Sequence, residues 1–90
     1  MRVEEKIPGG KMLAIEARIC EGKIRGVRIT GDFFLHPEDA ILRLEESLDG
    51  ISSSLGEDEI TSIAQGALEG ANLIGASARD IARILKKAVS

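Results

Sequence analysis

The chain has 90 residues, of which 43% are hydrophobic and 30% charged. This is enough for one small globular domain and too little for two cores, and the composition is not that of a disordered chain. No apolar run approaches the roughly 20 residues that span a bilayer, and the first eleven residues lack the apolar core of a signal peptide. We therefore expect a cytoplasmic protein without a membrane partner. One cysteine, Cys20, and one histidine, His36, cannot supply a disulfide or a four-ligand zinc site.

The formal net charge is −3, and Phe33 and Phe34 are the only aromatic residues. These features argue against a dedicated nucleic-acid-binding protein. The charge is uneven, because residues 1–30 carry +3, residues 31–75 carry −9 and residues 76–90 carry +3. Two interpretations remain open: these are solvated faces of ordinary elements, or the basic N-terminal region faces an anionic ligand or partner.

A β-hairpin is predicted near the N-terminus. Residues 3–7 can form a short edge strand, which ends at the Pro8-Gly9-Gly10 turn. Residues 12–20 alternate between apolar and polar side chains, as a half-buried strand does, and Glu21-Gly22 can form a two-residue turn into a returning strand. The side chains expected to face inward are Leu13, Ile15, Ala17 and Ile19 in the first hairpin strand and Ile24, Val27 and Ile29 in the second.

The returning strand should contain a β-bulge. Ile19 is expected to lie opposite Ile24, but Ile24 and Val27 differ in parity, so one extra residue must be absorbed between them. Gly26 is the predicted bulge, because without it Lys23 and Arg25 would share the inward side with Val27.

Three helices are predicted after the hairpin. The first begins with Pro37 at its first helical position and closes at Gly50, which is a candidate left-handed cap. The second opens with Glu57, Asp58 and Glu59, and Gly66 weakens its C-terminal half. The third begins at Ser77 with a capping box to Asp80. The predicted fold is a single α+β domain over residues 1–90, an antiparallel sheet of two to three strands with two to three helices on one face.

Few residues are candidates for catalysis. His36 precedes Pro37 and is interpreted as a residue at the start of a helix, and Cys20 as a residue at the end of the hairpin. The carboxylates of Glu45, Glu46 and Asp49 are expected on the solvent side of the first helix. We therefore assign no catalytic residue and no metal ligand to the chain.

Two glycine-containing segments remain as candidate sites. In the first, Gly9 and Gly10 would let backbone amides approach an anion while Lys6 and Lys11 supply charge, although Pro-Gly-Gly also forms simple turns and the P-loop spacing is absent. The second runs from Thr30 to Phe34, where Asp32 is interpreted as a turn or cap residue and at least one phenylalanine should fill the core.

Together these segments resemble a known family. The hairpin with the Ile-x-x-Val-x-Ile pattern of residues 24–29, the Gly31-Asp32-Phe33-Phe34 element, and the helix from Pro37 to Gly50 are similar to the C-terminal accessory domain of lipoate-protein ligases. The match is most specific at Gly-Asp-Phe-Phe and loose in the helical tail. In the bipartite archaeal form of this family, the accessory domain is a separate small protein, and a larger protein carries the lipoate and ATP site.

The resemblance implies an accessory subunit that is inactive alone and pairs with a catalytic large subunit in a heterodimer. ATP, Mg²⁺ and lipoate would bind to that partner and none of them to this chain alone, and lipoyl-acceptor domains would be indirect partners. Lys6, Gly9, Gly10 and Lys11 become a candidate loop facing substrate or partner, and Asp32, Phe33 and Phe34 become candidates for an interface or for bracing the loop. The alternative is a free-standing protein-interaction module that uses its sheet face and has no role in lipoylation.

Overall fold

The computed structural model describes residues 1–9 and 11–90 as a layer of helices on an antiparallel sheet. The elements in chain order are β1 (Arg2–Ile7), β2 (Lys11–Cys20), β3 (Lys23–Gly31), β4 (Phe34–His36), α1 (Ala40–Leu48), α2 (Glu57–Ala67), β5 (Asn72–Ile74) and α3 (Ala78–Ala88). The main sheet has the order β1-β2-β3, and β4 pairs with β5 in a separate ribbon. The predicted α+β class is confirmed. Neither short strand of the ribbon was predicted.

The core lies between the inner face of the three-stranded sheet and the helices. Alternate residues of β2 and β3 are buried there, and α1 packs on β3 while α3 packs on β1 and β2. This follows from the period-two pattern of the strands and the helical spacing of the apolar residues. The largest side chains with almost no exposed area are Leu13, Ile15, Ile24, Leu44, Leu48, Ile60, Ile81, Ile84 and Leu85.

The predicted bulge is present in β3. Gly26 and Val27 of β3 lie opposite the single residue Ala17 of β2, where the register of the hairpin shifts. Gly26 has a φ of +67°, a left-handed conformation that glycine adopts without strain. The extra residue returns Val27 to the buried face and keeps Arg25 and Arg28 exposed. The sequence argument from parity is confirmed.

One inward position of the hairpin was predicted wrongly. Ile19 pairs with Ile24 as expected, but Ile19 is 49% exposed whereas Ile24 is fully buried. β1 pairs with β2 between Lys11 and Glu16, so Ile19 lies beyond the end of β1. Alternation gives the side of a sheet on which a residue lies, and it cannot show how far the covering layer extends.

The first helix begins later than predicted. α1 starts at Ala40, whose amide donates to the carbonyl of Pro37 at 3.0 Å in the preceding turn. His36 belongs to β4 and is not a residue at the helix start. Because pairing with β5 holds residues 34–36 extended, the chain needs residues 37–39 to turn into the helix. Gly50 has the expected left-handed conformation, with a φ of +91°.

The other two helices follow the sequence signals. α2 continues through Gly66 to Ala67. At the start of α3 the Ser77 hydroxyl accepts from the Asp80 amide at 3.1 Å, and the Asp80 carboxylate accepts from the Ser77 amide at 2.9 Å. This reciprocal arrangement is the predicted capping box, in which two otherwise unpaired amides of the first turn gain acceptors.

Two carboxylates, one in α1 and one at its C-cap, close the free edge of β3. Glu45 accepts a hydrogen bond from the Ile29 amide at 2.8 Å, and Asp49 accepts from the Gly26 amide at 3.0 Å and from Arg25 at 3.1 Å. The hydrogen bond from Arg25, together with that from Gly26, lowers the pKa of Asp49. Asp49 is exposed, as expected for a solvent-facing charge, whereas Glu45 is half-buried. The hydrogen bonds of the two carboxylates to β3 were not predicted, and they supply acceptors to amides that an edge strand leaves unpaired.

A charged cluster joins β1 to α3. Glu5 lies on the inner side of β1, where its carboxylate accepts from Lys87 at 2.6 Å and from Arg83 at 2.8 Å. These hydrogen bonds, that from Lys87 first, lower the pKa of Glu5. Arg83 also bonds to Asp80 at 2.8 Å. The cluster fastens the first strand to the last helix, so the two ends of the chain lie side by side.

Candidate functional site

The two glycine-containing segments meet at one end of the main sheet. We call this region the turn end and define it as Pro8, Gly9, Lys11 and residues 31–34. Lys11 faces Ile7 across the hairpin turn, and the Asp32 amide donates to the Met12 carbonyl at 2.9 Å. Segments about twenty residues apart in the sequence are thereby joined through the backbone.

Gly31 allows the close approach between these segments. Its φ is +147°, and a Cβ atom on its backbone would overlap the carbonyl oxygen of Met12 and lie 3.1 Å from the Cα of Leu13. Any other residue would therefore push the chain away from β2. The glycine of the Gly-Asp-Phe-Phe element has a steric role in holding Asp32 and Phe33 beside the start of β2.

Lys11 lies against residues from two other parts of the chain. A Cβ atom built on Gly75 would be 3.1 Å from the Cγ of Lys11 and 3.5 Å from the Cα of Phe33. Gly75 follows β5 directly and has a φ of +97°. The aliphatic part of the Lys11 side chain thus lies close to the backbone of residues 33 and 75, although Lys11 as a whole is exposed. The Cγ and Cδ atoms of Lys11 therefore lie on the same surface as the Gly-Asp-Phe-Phe element.

The remaining residues of the first segment are placed apart from Lys11. Lys6 pairs with Met12 on the outer face of the sheet, whereas Lys11 occupies the inner-face row with Ile7. The two lysines therefore do not converge on one point. Gly9 lies in the turn with a φ of +105° and nothing within 4 Å of a Cβ position. The prediction for Gly10 falls outside the described residues.

The two phenylalanines have different environments. Phe33 is half-buried against the core, whereas Phe34 is 59% exposed in β4. Phe34 pairs directly with Ile74 of β5, which is also 59% exposed, and its ring stacks on that of His36 at a centroid distance of 6.5 Å. We call the pair Phe34 and Ile74 the apolar patch. Phe33 braces the turn end from below, and the apolar patch is free on the surface of the ribbon.

A shallow cleft of about 350 Å³ lies next to the turn end. It is formed largely by apolar residues, among them Phe33, Leu35 and Ile41, together with Gly31 and Glu38. Because apolar side chains dominate its lining, the cleft suits an apolar group of a partner better than a charged metabolite.

The described part of the chain contains no group of three or more side chains suited to holding a metal ion. Asp32 is exposed, His36 is exposed on the ribbon, and Cys20 is exposed at the far end of the hairpin. None of these forms a hydrogen-bonded pair of nucleophile and base with another side chain. The turn end presents Lys11, backbone amides and exposed apolar area, which are groups that recognise a ligand or a partner.

Sequence reasoning missed the ribbon and with it Ile74 and Gly75. Strands of three residues are too short for a period-two pattern to be recognised. The available signal was the apolar pair Leu73-Ile74 between Gly70 and Gly75, both of which have positive φ angles. The pairing of β5 with β4 joins segments far apart in the chain, so local sequence patterns do not predict it.

The helices that the structure describes include none with the length and apolarity needed to cross a membrane. A scan against protein-family models and a search of curated proteins found no match. Among solved structures, the chain is similar to a chain from an archaeal lipoylation system of Thermoplasma acidophilum, described as a bipartite lipoate protein ligase and its E2 lipoyl domain. The TM-score is 0.66 with 27% identity, and the alignment covers 94% of each chain. This likeness supports the lipoate protein ligase family, and it does not specify a subunit or a domain within it.

Proposed function

We propose that this chain is a non-catalytic accessory subunit of a lipoate-protein ligase. In this proposal a catalytic large subunit binds lipoate, ATP and Mg²⁺, and the two proteins form a cytoplasmic heterodimer. The observation that carries the proposal is the likeness to the archaeal bipartite system over 94% of both chains, together with the Gly-Asp-Phe-Phe element at the turn end.

The reaction requires two steps at the large subunit. The lipoate carboxylate attacks the α-phosphate of ATP, which forms lipoyl-adenylate and releases pyrophosphate. A lysine amine of the acceptor domain then attacks the carbonyl carbon of this mixed anhydride, and AMP leaves. Water would destroy the mixed anhydride, so loops that close over it serve both rate and yield.

The turn end is the surface that we assign to the large subunit. The apolar patch offers two exposed side chains, and the adjacent cleft can accept an apolar side chain in return. Burial of such groups supplies binding free energy, while Phe33 keeps the segment beneath them in place. Docking would order the adenylate-binding loops of the large subunit and so lower the entropic cost of assembling the site.

The basic test is reconstitution. The chain and a lipoate-ligase large subunit are assayed alone and together for pyrophosphate release from ATP and lipoate. We expect release to rise strongly only in the mixture, and the two proteins to co-elute in size-exclusion chromatography. Absence of both a complex and a rate increase would contradict the proposal and favour an interaction module unrelated to lipoylation.

The apolar patch can be tested with a matched control. Ile74→Ala should weaken the complex, because it removes exposed apolar area from the apolar patch beside the turn end. Ile19→Ala makes the same chemical change at a 49% exposed position that lies eight residues along β2 from Lys11, about 26 Å away. We expect Ile19→Ala to bind like the parent, as measured by calorimetry. Equal loss in both variants would refute the assignment of the interface.

The contribution of the Lys11 charge can be tested against that of Lys6, a lysine on the opposite face of the sheet. Lys11→Ala is expected to lower pyrophosphate release in the mixture, since an ammonium group beside the Gly-Asp-Phe-Phe element would be lost. Lys6→Ala removes the same charge from the opposite face of the sheet and should leave the rate unchanged. A Lys11→Ala protein that supports adenylation as well as the parent would remove the electrostatic part of the proposal.

A further inference from the structure

Among residues 1–9 and 11–90, no helix packs on the outer face of the three-stranded sheet, and the charged residues of this face are mostly cations. The side chains on this face alternate with the buried ones, and all of the charged residues among them are exposed. The cations are Arg2, Lys6, Arg18, Lys23, Arg25 and Arg28, and the anions are Glu4 and Glu16. Six cations against two carboxylates give this outer face a formal charge of +4, although the whole chain has −3. The rest of the molecule therefore carries −7.

Most of the cations on the outer face lack an internal partner. Arg2 pairs with Glu4, and Arg25 reaches over the sheet edge to Asp49. Among the described residues, the other four cations of this face form no ion pair with any carboxylate. The bulge adds to this concentration, because it sets Arg18 directly opposite Arg25. Like charges placed opposite each other cost stability unless something else neutralises them.

The composition of the outer face favours a transient protein partner. Its apolar and small residues are few, with Met12 half-buried and Ala14 buried between the longer side chains. A face that has unpaired charges and little apolar area suits association with a partner of opposite electrostatic potential. Such attraction raises the association rate without requiring a permanent interface. In the part of the chain that the structure describes, this face has no aromatic side chain that could stack on bases, and two carboxylates lie among its cations. A nucleic acid therefore fits it less well.

We infer that the outer face of the sheet docks an acidic surface of the lipoyl-acceptor domain, the protein whose lysine receives the lipoyl group. This inference rests on the proposed function. A ligase must bind and release its acceptor in every cycle, whereas the proposed heterodimer need not dissociate between cycles. The apolar turn end therefore suits the permanent partner, and the charged outer face suits the substrate protein that comes and goes.

The experiment uses an unlipoylated E2 lipoyl domain as the probe and three charge-reversal variants. Arg18→Glu and Lys23→Glu alter two unpaired cations of the outer face. Arg43→Glu is the matched control, because Arg43 is an exposed cation on α1 that also lacks an ion pair among the described residues. Each variant changes the net charge by the same amount. Two quantities are measured: the affinity of the chain for the lipoyl domain, and the KM for that domain in the reconstituted ligase.

We expect Arg18→Glu and Lys23→Glu each to weaken binding and raise the KM by about threefold to tenfold, with kcat and acceptor-free pyrophosphate release unchanged. Arg43→Glu should match the parent. Binding of the parent should weaken as salt rises from about 0.01 M to about 1 M, over which the screening length falls from about 30 Å to about 3 Å. Circular dichroism of each variant verifies that the fold is retained.

The failures of the two proposals are distinguishable. If the chain does not stimulate adenylation but binds the lipoyl domain through the outer face, the subunit role is wrong and the docking surface stands. If adenylation is stimulated but the KM is unchanged by Arg18→Glu and Lys23→Glu, or changed equally by Arg43→Glu, the docking surface is refuted. Tight, salt-dependent binding of a short DNA duplex without binding of the lipoyl domain would also overturn the inference.

Discussion

Three glycine-to-alanine substitutions test the structural basis of the turn end, because the same methyl group is added in three different environments. At Gly31 the backbone is left-handed and the methyl group would overlap the Met12 carbonyl oxygen. At Gly9 the φ of +105° is equally unusual for alanine, but nothing lies within 4 Å. At Gly66 the backbone is helical and the space is open.

The expected free energies of unfolding follow from these differences. An alanine in a strained conformation costs about 1–3 kcal/mol, and forced overlap in a packed region adds about 1–3 kcal/mol. Gly31→Ala should therefore destabilise the protein by about 2–6 kcal/mol and Gly9→Ala by about 1–3 kcal/mol. Gly66→Ala should stabilise it by about 0.5–1 kcal/mol, since alanine is the better helix former. A chain of this length has a total stability of only about 5–13 kcal/mol, so the first change is severe.

Thermal unfolding followed by circular dichroism measures all three variants. In a domain of this size, 1 kcal/mol shifts the Tm by about 4–8 °C. Gly31→Ala should then lower the Tm by at least about 8 °C, Gly9→Ala should lower it less, and Gly66→Ala should raise it by a few degrees. A Gly31→Ala protein as stable as Gly9→Ala would show that the close approach to β2 is not what requires glycine, and the steric argument for the Gly-Asp-Phe-Phe element would fail.

Two further predictions concern the carboxylates of Glu45 and Glu5, whose hydrogen bonds to other elements were not predicted from the sequence. Glu45→Ala should speed hydrogen exchange of the Ile29 amide, which loses its acceptor, whereas Glu46→Ala should not; equal protection in both variants would refute edge closure by α1. The hydrogen bonds from Lys87 and Arg83 lower the pKa of Glu5 in the folded protein below 4.5, the ordinary value for glutamate. The stability that they contribute is therefore complete above pH 4.5, and it is lost as the pH falls through the pKa of the folded state. In chemical denaturation between pH 7 and pH 2, Glu5→Gln should lose less stability than the parent; an identical loss would contradict this contribution.

Local patterns in the amino-acid sequence determined the hairpin, its turn, the Gly26 bulge, three helices and the capping box at Ser77. Each of these depends on residues within a few positions of one another, where alternation, helical spacing and turn chemistry act directly. The Gly-Asp-Phe-Phe element is likewise a contiguous motif, so the family resemblance depends on the sequence and not on tertiary contacts.

The tertiary structure alone decided which of these residues act together. It joined Lys11 to Phe33 and Gly75, separated Lys6 onto the other face, exposed Phe34 beside Ile74, and turned Glu45 towards the edge of β3. These outcomes depend on pairing between segments far apart in the chain and on where the helical layer stops. The native pairing and packing are those that give the whole core the lowest free energy, so they cannot be predicted from a short segment of the sequence.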